Sequence, residues 1–192
     1  MTLVISFFVR LYMGFFSVIQ RMTEGWLLGL AARFVFAAVL LVYFVRSALT
    51  KFGPGIAGLF EPTAGAYAQI LPAMMEAVSY DTSQIPFMPY GLVVLVGSWA
   101  EILLPVMIVL GVFTRAASLG FIIFVGAMTY VDITGHHLDA ATIGTIFDGD
   151  PTGLIADQRL LWVFLLLVLV LRGAGKISLD YLLVRWWYAR QY

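Results

Sequence analysis

The clearest pattern along the chain is a series of four apolar runs separated by polar connections. The runs cover residues 26–50, 90–111, 116–131 and 160–171. They approach or exceed the roughly 17–25 apolar residues that a helix needs to cross the hydrocarbon core of a bilayer. The fourth is the shortest, so the residues flanking it must dip towards the membrane or the bilayer must thin. The pattern predicts an all-α integral membrane four-helix bundle.

Residues 3–19 are also apolar, but their polar positions follow a helical spacing. Arg10 lies at the middle, where an arginine costs about 2.5–3.5 kcal/mol on insertion scales. Residues at spacings of three and four place one polar face along the helix: Ser6, Arg10, Gly14, Ser17, Arg21 and Glu24. We predict an amphipathic helix lying in the membrane interface. The alternative is a fifth spanning helix with Arg10 buried against a neighbour.

A second amphipathic interfacial helix is predicted after the fourth span. Apolar residues and tryptophans follow Lys176, and Ser178 is placed to cap the helix. Residues 64–75 are apolar but short, which favours a helix or re-entrant piece over a crossing. The predicted organisation is an interfacial helix at 1–25, a transmembrane domain at 26–184 and a basic, aromatic tail at 185–192.

Composition narrows the class of protein further. Of 192 residues, 62% are hydrophobic and 11% are charged, against about 25% charged residues in soluble domains. A soluble enzyme and a nucleic-acid binder are therefore excluded. The chain has no cysteine, which removes disulfides, thiolate nucleophiles and cysteine-ligated iron–sulfur clusters.

The distribution of basic residues predicts the orientation. Seven lie on one side of the predicted bundle: Arg10, Arg21, Arg115, Arg172, Lys176, Arg185 and Arg190. The two other connections are acidic apart from Lys51 and Arg159. The positive-inside rule then places both termini in the cytoplasm and the acidic connections outside.

Glu101 is the sharpest candidate for chemistry. Counted from Tyr90, it lies about 16 Å along its helix, near the bilayer midplane, where a carboxylate must be paired, protonated or facing a cavity. Pro105 lacks an amide hydrogen and leaves the Glu101 carbonyl without its usual donor. Glu101 is therefore either a proton-exchanging or hydrogen-bonding group for a polar-headed ligand, or a member of a structural ion pair with Arg46 or Arg33.

A second group of polar residues follows the third span. Asp132, His136, His137 and Asp139 have side chains that ligate zinc or copper, but adjacent histidines do not share a helical face. A solvated loop or a hydrogen-bonding pair is favoured, and no metal is predicted. Residues 148–150 resemble part of a calcium loop but lack its later glutamate, which favours a turn.

The two groups combine into one predicted site. An outward-facing pocket would have Glu101 at its floor and Tyr130, Asp132 and His136 at its mouth, with Arg46 nearby. We expect Glu101 as the catalytic residue and Glu101, Arg46, Tyr130 and His136 as the ligand-binding residues. Such a pocket suits a quinone head group that enters from the lipid.

Several motifs within residues 26–184 resemble the DoxX family. They are Arg33 in the first span, Gly97-x-x-x-Glu101 with Pro105, Gly111-x-x-Thr114-Arg115, a histidine after the third span, and Gly173-x-Gly175-Lys176-x-Ser178-x-Asp180. The resemblance implies a small four-helix protein of the inner (plasma) membrane. It also implies kinship with the DoxD subunit of thiosulfate:quinone oxidoreductase, or association with other redox or sulfur-handling partners.

Two functions follow as hypotheses. In the first, the chain is the membrane subunit of a quinone-linked oxidoreductase, with a soluble protein partner that supplies electrons. In the second, it is a non-catalytic anchor or assembly subunit that docks a redox or metal-handling partner. Membrane lipid is the surrounding partner in both, and nucleic acid in neither. A transporter is disfavoured because paired broken helices and inverted halves are not evident.

Overall fold

The structure, a computed structural model, describes the backbone of residues 2–191 and the side chains of residues 4–191. Met1 and Tyr192, the outermost residues of the predicted terminal segments, lie outside this range. The described residues form helices joined by turns and irregular connections, with no strand and one isolated bridge between Phe52 and Pro62. The all-α prediction is confirmed for this range.

The longer helices follow the apolar runs, and shorter ones lie in the connections. We number them in chain order: α1 Thr2–Thr23, α2 Leu27–Leu49, α3 Ala64–Ile70, α4 Pro72–Ala77, α5 Phe87–Leu110, α6 Thr114–Thr134, α7 Ala140–Ile143, α8 Leu154–Arg172 and α9 Leu179–Ala189. Single π-helical turns interrupt α2 at Ala37–Leu41 and open α5 and α8. The turn that opens α8, Leu154–Gln158, supplies the length that the short fourth run lacks.

Five helices of the described chain are long and apolar enough to cross a membrane: α1, α2, α5, α6 and α8. The protein is therefore a multi-pass membrane protein. Helix α1 qualifies by length and composition, and nearly all its described side chains, including Arg10, are exposed. The exposed Arg10 contradicts the alternative in which a fifth span buries this residue against a neighbour, whereas the length and composition of α1 agree with either an interfacial helix or a span.

The shorter predicted elements are also present as helices. Residues 64–75 form α3 and most of α4, which are too short to cross a bilayer. Ser178 caps α9 by accepting a hydrogen bond from the Tyr181 amide at 3.2 Å. The polar residues at 148–150 form a turn in which the Asp150 amide donates to Asp148 Oδ1 at 2.9 Å. These predictions are confirmed.

Helices α2, α5, α6 and α8 surround a core built on aromatic rings. The Phe121 ring lies 5.5 Å from the Phe36 ring and 4.8 Å from the Phe44 ring, edge-on in both pairs. Ile108, Leu166 and other apolar side chains complete the cluster. Edge-to-face rings pack closely and leave little room for water.

The two ends of the bundle differ. We call the end formed by connections 50–86 and 135–153 the long-connection end, and the end formed by the turns at 24–26, 111–113 and 173–178 the short-turn end. At the short-turn end, the buried Arg33 donates hydrogen bonds to four backbone carbonyls, those of Ile108, Val109, Ala174 and Ile177. Arg33 therefore ties α2 to the end of α5 and to the segment between α8 and α9.

Candidate functional site

Glu101 lies on the inner face of α5 and forms an ion pair with Lys51. Only 3% of Glu101 and 5% of Lys51 is exposed, and Glu101 Oε2 lies 2.5 Å from Lys51 Nζ. The sequence predicted a buried carboxylate that needed a counter-ion. The cation beside it is Lys51 rather than Arg46 or Arg33.

The connection that follows α2 holds Lys51 in place. The Lys51 amide donates to the Ala48 carbonyl at 2.9 Å, and the Lys51 carbonyl accepts from the Thr63 amide at 3.0 Å. One turn earlier on α2, Ser47 Oγ lies 2.9 Å from Lys51 Nζ. The ammonium therefore has a fixed position between a hydroxyl and a carboxylate.

The hydrogen bonding of this pair is incomplete. Glu101 Oε2 is enclosed, yet in the described chain it receives no hydrogen bond of good geometry, so its contact with Lys51 is electrostatic. The Lys51 ammonium, which has three donors, donates one hydrogen bond to Ser47 Oγ. A buried carboxylate oxygen without a hydrogen bond favours an additional donor. A ligand hydroxyl or a water molecule in the adjoining space would supply one.

The adjoining space is a partly open cavity of about 280 Å³ in the half of the bundle nearer the long-connection end. Helices α2, α3, α5 and α6 form its walls. Its polar lining comprises Tyr43, Ser47, Lys51, Gln69, Glu101, Asp132 and His136, and its apolar lining includes Ile70, Val93, Phe124 and Met128. Small-molecule pockets commonly have this combination of an apolar wall and a few convergent polar groups.

His136 and Asp132, the polar residues at the cavity mouth, each contact a protein group outside the cavity lining or on its rim. His136 Nε2 lies 3.1 Å from the Gln69 carbonyl oxygen. Because a carbonyl can only accept, this nitrogen carries the proton, and a neutral His136 presents Nδ1 as an acceptor. Asp132 pairs with Arg159, which also donates to Thr129 Oγ1 at 2.7 Å. The mouth therefore has a fixed polar rim.

The structure brings together two of the four predicted ligand-binding residues. Glu101 and His136 line the cavity, as does Asp132, which the sequence placed at its mouth. Arg46 is exposed, and Tyr130 is 69% exposed; neither lines the cavity. Lys51 and Ser47 were missed. The spacing of Tyr43, Ser47 and Lys51 by four residues carried the signal, because this spacing aligns the three side chains on one helical face.

The remaining acidic residues of connection 135–153 have local roles. Asp139 Oδ1 and Oδ2 accept hydrogen bonds from the Thr142 amide and hydroxyl, which caps α7. These hydrogen bonds, that of the hydroxyl foremost, lower the pKa of Asp139. His137, next to His136, has a left-handed backbone with φ 49°.

Comparisons of this chain with protein-family models, with curated proteins and with solved structures give no match.

Proposed function

We propose that the chain is the membrane subunit of a quinone-linked redox system of the DoxX type, and that it binds a quinone head group in the cavity beside Glu101 and Lys51. The observation that carries this proposal is the juxtaposition of a buried ion pair with a cavity in an apolar wall. At about 280 Å³, the cavity is near the lower bound of small-molecule sites, about 300 Å³. This volume suits one ring and leaves an isoprenoid tail in the lipid.

The polar groups of the cavity match the chemistry of a quinone. The Lys51 ammonium donates a hydrogen bond to a carbonyl oxygen of the ring, and Glu101 accepts one from the hydroxyl of the quinol. Phe124 and Met128 contact the face of the ring. The electrons come from a soluble redox partner, as the DoxX resemblance implies.

The proposal includes an arrangement in the membrane. Helices α2, α5, α6 and α8 are the four spans, and α1 and α9 lie in the interface. The aromatic residues of α9 are exposed, as expected for a helix at the lipid head groups. The short-turn end, which holds Arg115, Arg172 and Lys176, faces the cytoplasm together with both termini. The membrane is the inner (plasma) membrane.

The second candidate function is that of a non-catalytic anchor or assembly subunit. The observation that favours it is the tip of connection 135–153, where the Phe147 side chain is 100% exposed beside Asp148 and Asp150. A fully exposed aromatic residue next to two carboxylates resembles a protein-docking site. Replacing both aspartates with alanine would release a docked partner and leave quinone binding unchanged.

A titration with a short-tailed benzoquinone tests the first function. The protein is placed in lipid nanodiscs, and binding is measured for wild type, Gly97→Leu and Gly126→Leu. Gly97 lines the cavity, and a Cβ there would meet only Ile70 Cδ1, at 3.4 Å, whereas a Cβ at Gly126 meets nothing within 4 Å. The leucine at 97 fills the cavity and abolishes binding, and the leucine at 126 leaves binding intact.

Glu101→Gln provides a second arm of this test. It keeps the shape of the side chain but removes its ability to exchange a proton, so quinone-dependent activity in the assembled complex is lost while the complex stays intact. Equal quinone affinity in wild type and Gly97→Leu would refute the first function.

A further inference from the structure

We propose that the Glu101–Lys51 pair exchanges protons with water only at the long-connection end. The inference deepens the proposed function, on which it relies for the ligand. It assigns a direction to the chemistry, because protons consumed or released by the quinone would enter or leave on one side of the membrane.

The first argument is the position of the titratable groups in the cavity. Besides the buried pair, they are Tyr43, Asp132 and His136. Asp132 and His136 lie at the end of α6 nearest connection 135–153, and His136 is exposed. The cavity thus joins the buried carboxylate to an exposed imidazole that carries acceptor and donor nitrogens, as proton transfer requires.

The second argument is the packing on the opposite side of the pair. Between Glu101 and the buried Arg33 lie the rings of Phe36 and Phe121 and the side chain of Ile108, all fully buried. Glu101 and Ile108 are seven residues apart on α5, which corresponds to about 10 Å. Since close-packed apolar side chains hold no water chain, this cluster acts as a barrier to protons.

Buried hydroxyl groups do not bridge this barrier. On α6, Ser118 is the described buried hydroxyl nearest to the cavity from the short-turn end, and its Oγ has no hydrogen-bond partner in the described chain. Ser118 and Phe124, the cavity-lining residue of α6 nearest to it, are six residues apart, or about 9 Å along the helix. The buried Phe121 lies between them.

The proton balance gives this barrier a functional consequence. Reduction of a quinone to its quinol takes two electrons, here from the redox partner, and two protons, which convert the two carbonyl groups to hydroxyls. Oxidation of the quinol releases the same two protons and returns two electrons. With the barrier on the short-turn side, both protons cross the cavity mouth at the long-connection end.

Single cysteines test the direction of water access, because the native chain contains none. Ser47→Cys and Met128→Cys report on the cavity, and Ala117→Cys, at a buried position in the same apolar cluster as Phe121, reports on the barrier. Glu61→Cys and Lys176→Cys, at exposed positions, mark the long-connection end and the short-turn end. Each variant is placed in sealed vesicles of known orientation, treated with a membrane-impermeant cationic methanethiosulfonate, and analysed by intact-protein mass spectrometry.

The two cavity cysteines are expected to react only from the side on which Glu61→Cys reacts. The two cavity cysteines do not react when the reagent is added on the side from which Lys176→Cys reacts. Ala117→Cys reacts from neither side. Having two cavity positions keeps the test valid if one variant fails to fold. Reaction of the cavity cysteines from the Lys176→Cys side, from both sides, or from neither side overturns the inference.

This experiment and the quinone titration fail independently. One-sided access without quinone binding would reject the proposed ligand and keep the barrier. Quinone binding with access from the short-turn end would keep the proposed ligand and reject the direction of proton exchange.

Discussion

The buried ion pair allows a quantitative test by a double-mutant cycle on stability. The perturbations are Lys51→Met, Glu101→Leu and the two combined. Two unit charges 2.5 Å apart attract by about 6–7 kcal/mol at an effective dielectric constant of about 20, before desolvation is counted. Desolvation offsets most of this attraction, but removal of either partner leaves the other charge buried and unpaired.

Each single variant is therefore expected to lose about 3–5 kcal/mol of stability. At about 2–4 °C per kcal/mol for a chain of this size, this loss lowers the midpoint of thermal unfolding by about 6–20 °C. The double variant, which contains neither charge, is expected to be within about 1 kcal/mol of wild type or above it. The measurement is thermal unfolding in nanodiscs, followed by intrinsic tryptophan fluorescence.

A specific result would refute this reasoning. If the double variant loses the sum of the two single losses, Lys51 and Glu101 do not interact, since independent sites are additive. Arg46→Met, at an exposed position on α2 shortly before Lys51, is the matched control and is expected to change stability by less than about 0.5 kcal/mol.

Three further predictions concern other parts of the molecule. Arg33→Lys keeps the charge but not the planar fork that reaches several carbonyls, so thermal unfolding is expected to show a loss of at least about 2–3 kcal/mol. Gly29→Ala places a Cβ 2.7 Å from neighbouring backbone atoms and lowers the unfolding temperature, whereas Gly126→Ala does not; equal unfolding temperatures would refute the close approach at position 29. The pKa of Asp139 is lowered by the Thr142 hydrogen bonds, so its stabilising contribution is present above the unfolded-state pKa and is lost as the pH falls through the lowered value. NMR titration of Asp139 tests this, and Thr142→Val should move the pKa back up, whereas an unchanged value would contradict the assignment.

The hydrophobic pattern was sufficient to locate the spans to within a few residues, except at the start of the fourth. A bilayer imposes a minimum length on each apolar run, and every backbone polar group within it must be hydrogen-bonded, which leaves helices as the solution. The apolar run that begins at residue 160 was too short, so its flanking residues were expected to dip towards the membrane or the bilayer to thin; the helix starts at Leu154 because residues 154–158, which are mixed in character, form a π-helical turn.

The candidate site was predicted only in part, for a geometric reason. Glu101 stood out because a lone carboxylate in an apolar helix needs compensation. Its partner was missed despite the four-residue spacing of Tyr43, Ser47 and Lys51, because Lys51 follows the end of a helix and is held by a hydrogen bond from Thr63 across the connection. Arg46 precedes Lys51 by five residues, which places it about 140° away around the helix. Arg46 was expected as a partner because it lies inside the apolar run, but its side chain points to a different side of the helix from Lys51.

The central claim, that a quinone ring occupies the cavity beside Glu101, is tested most directly by photo-crosslinking. A short-tailed azidoquinone is bound to the protein in nanodiscs and irradiated, and the modified residues are mapped by peptide mass spectrometry. We predict adducts in the cavity walls, at residues 93–101 and 124–132, that disappear with excess unlabelled quinone. Adducts confined to α1 or α9, or labelling that excess quinone does not reduce, would contradict the claim.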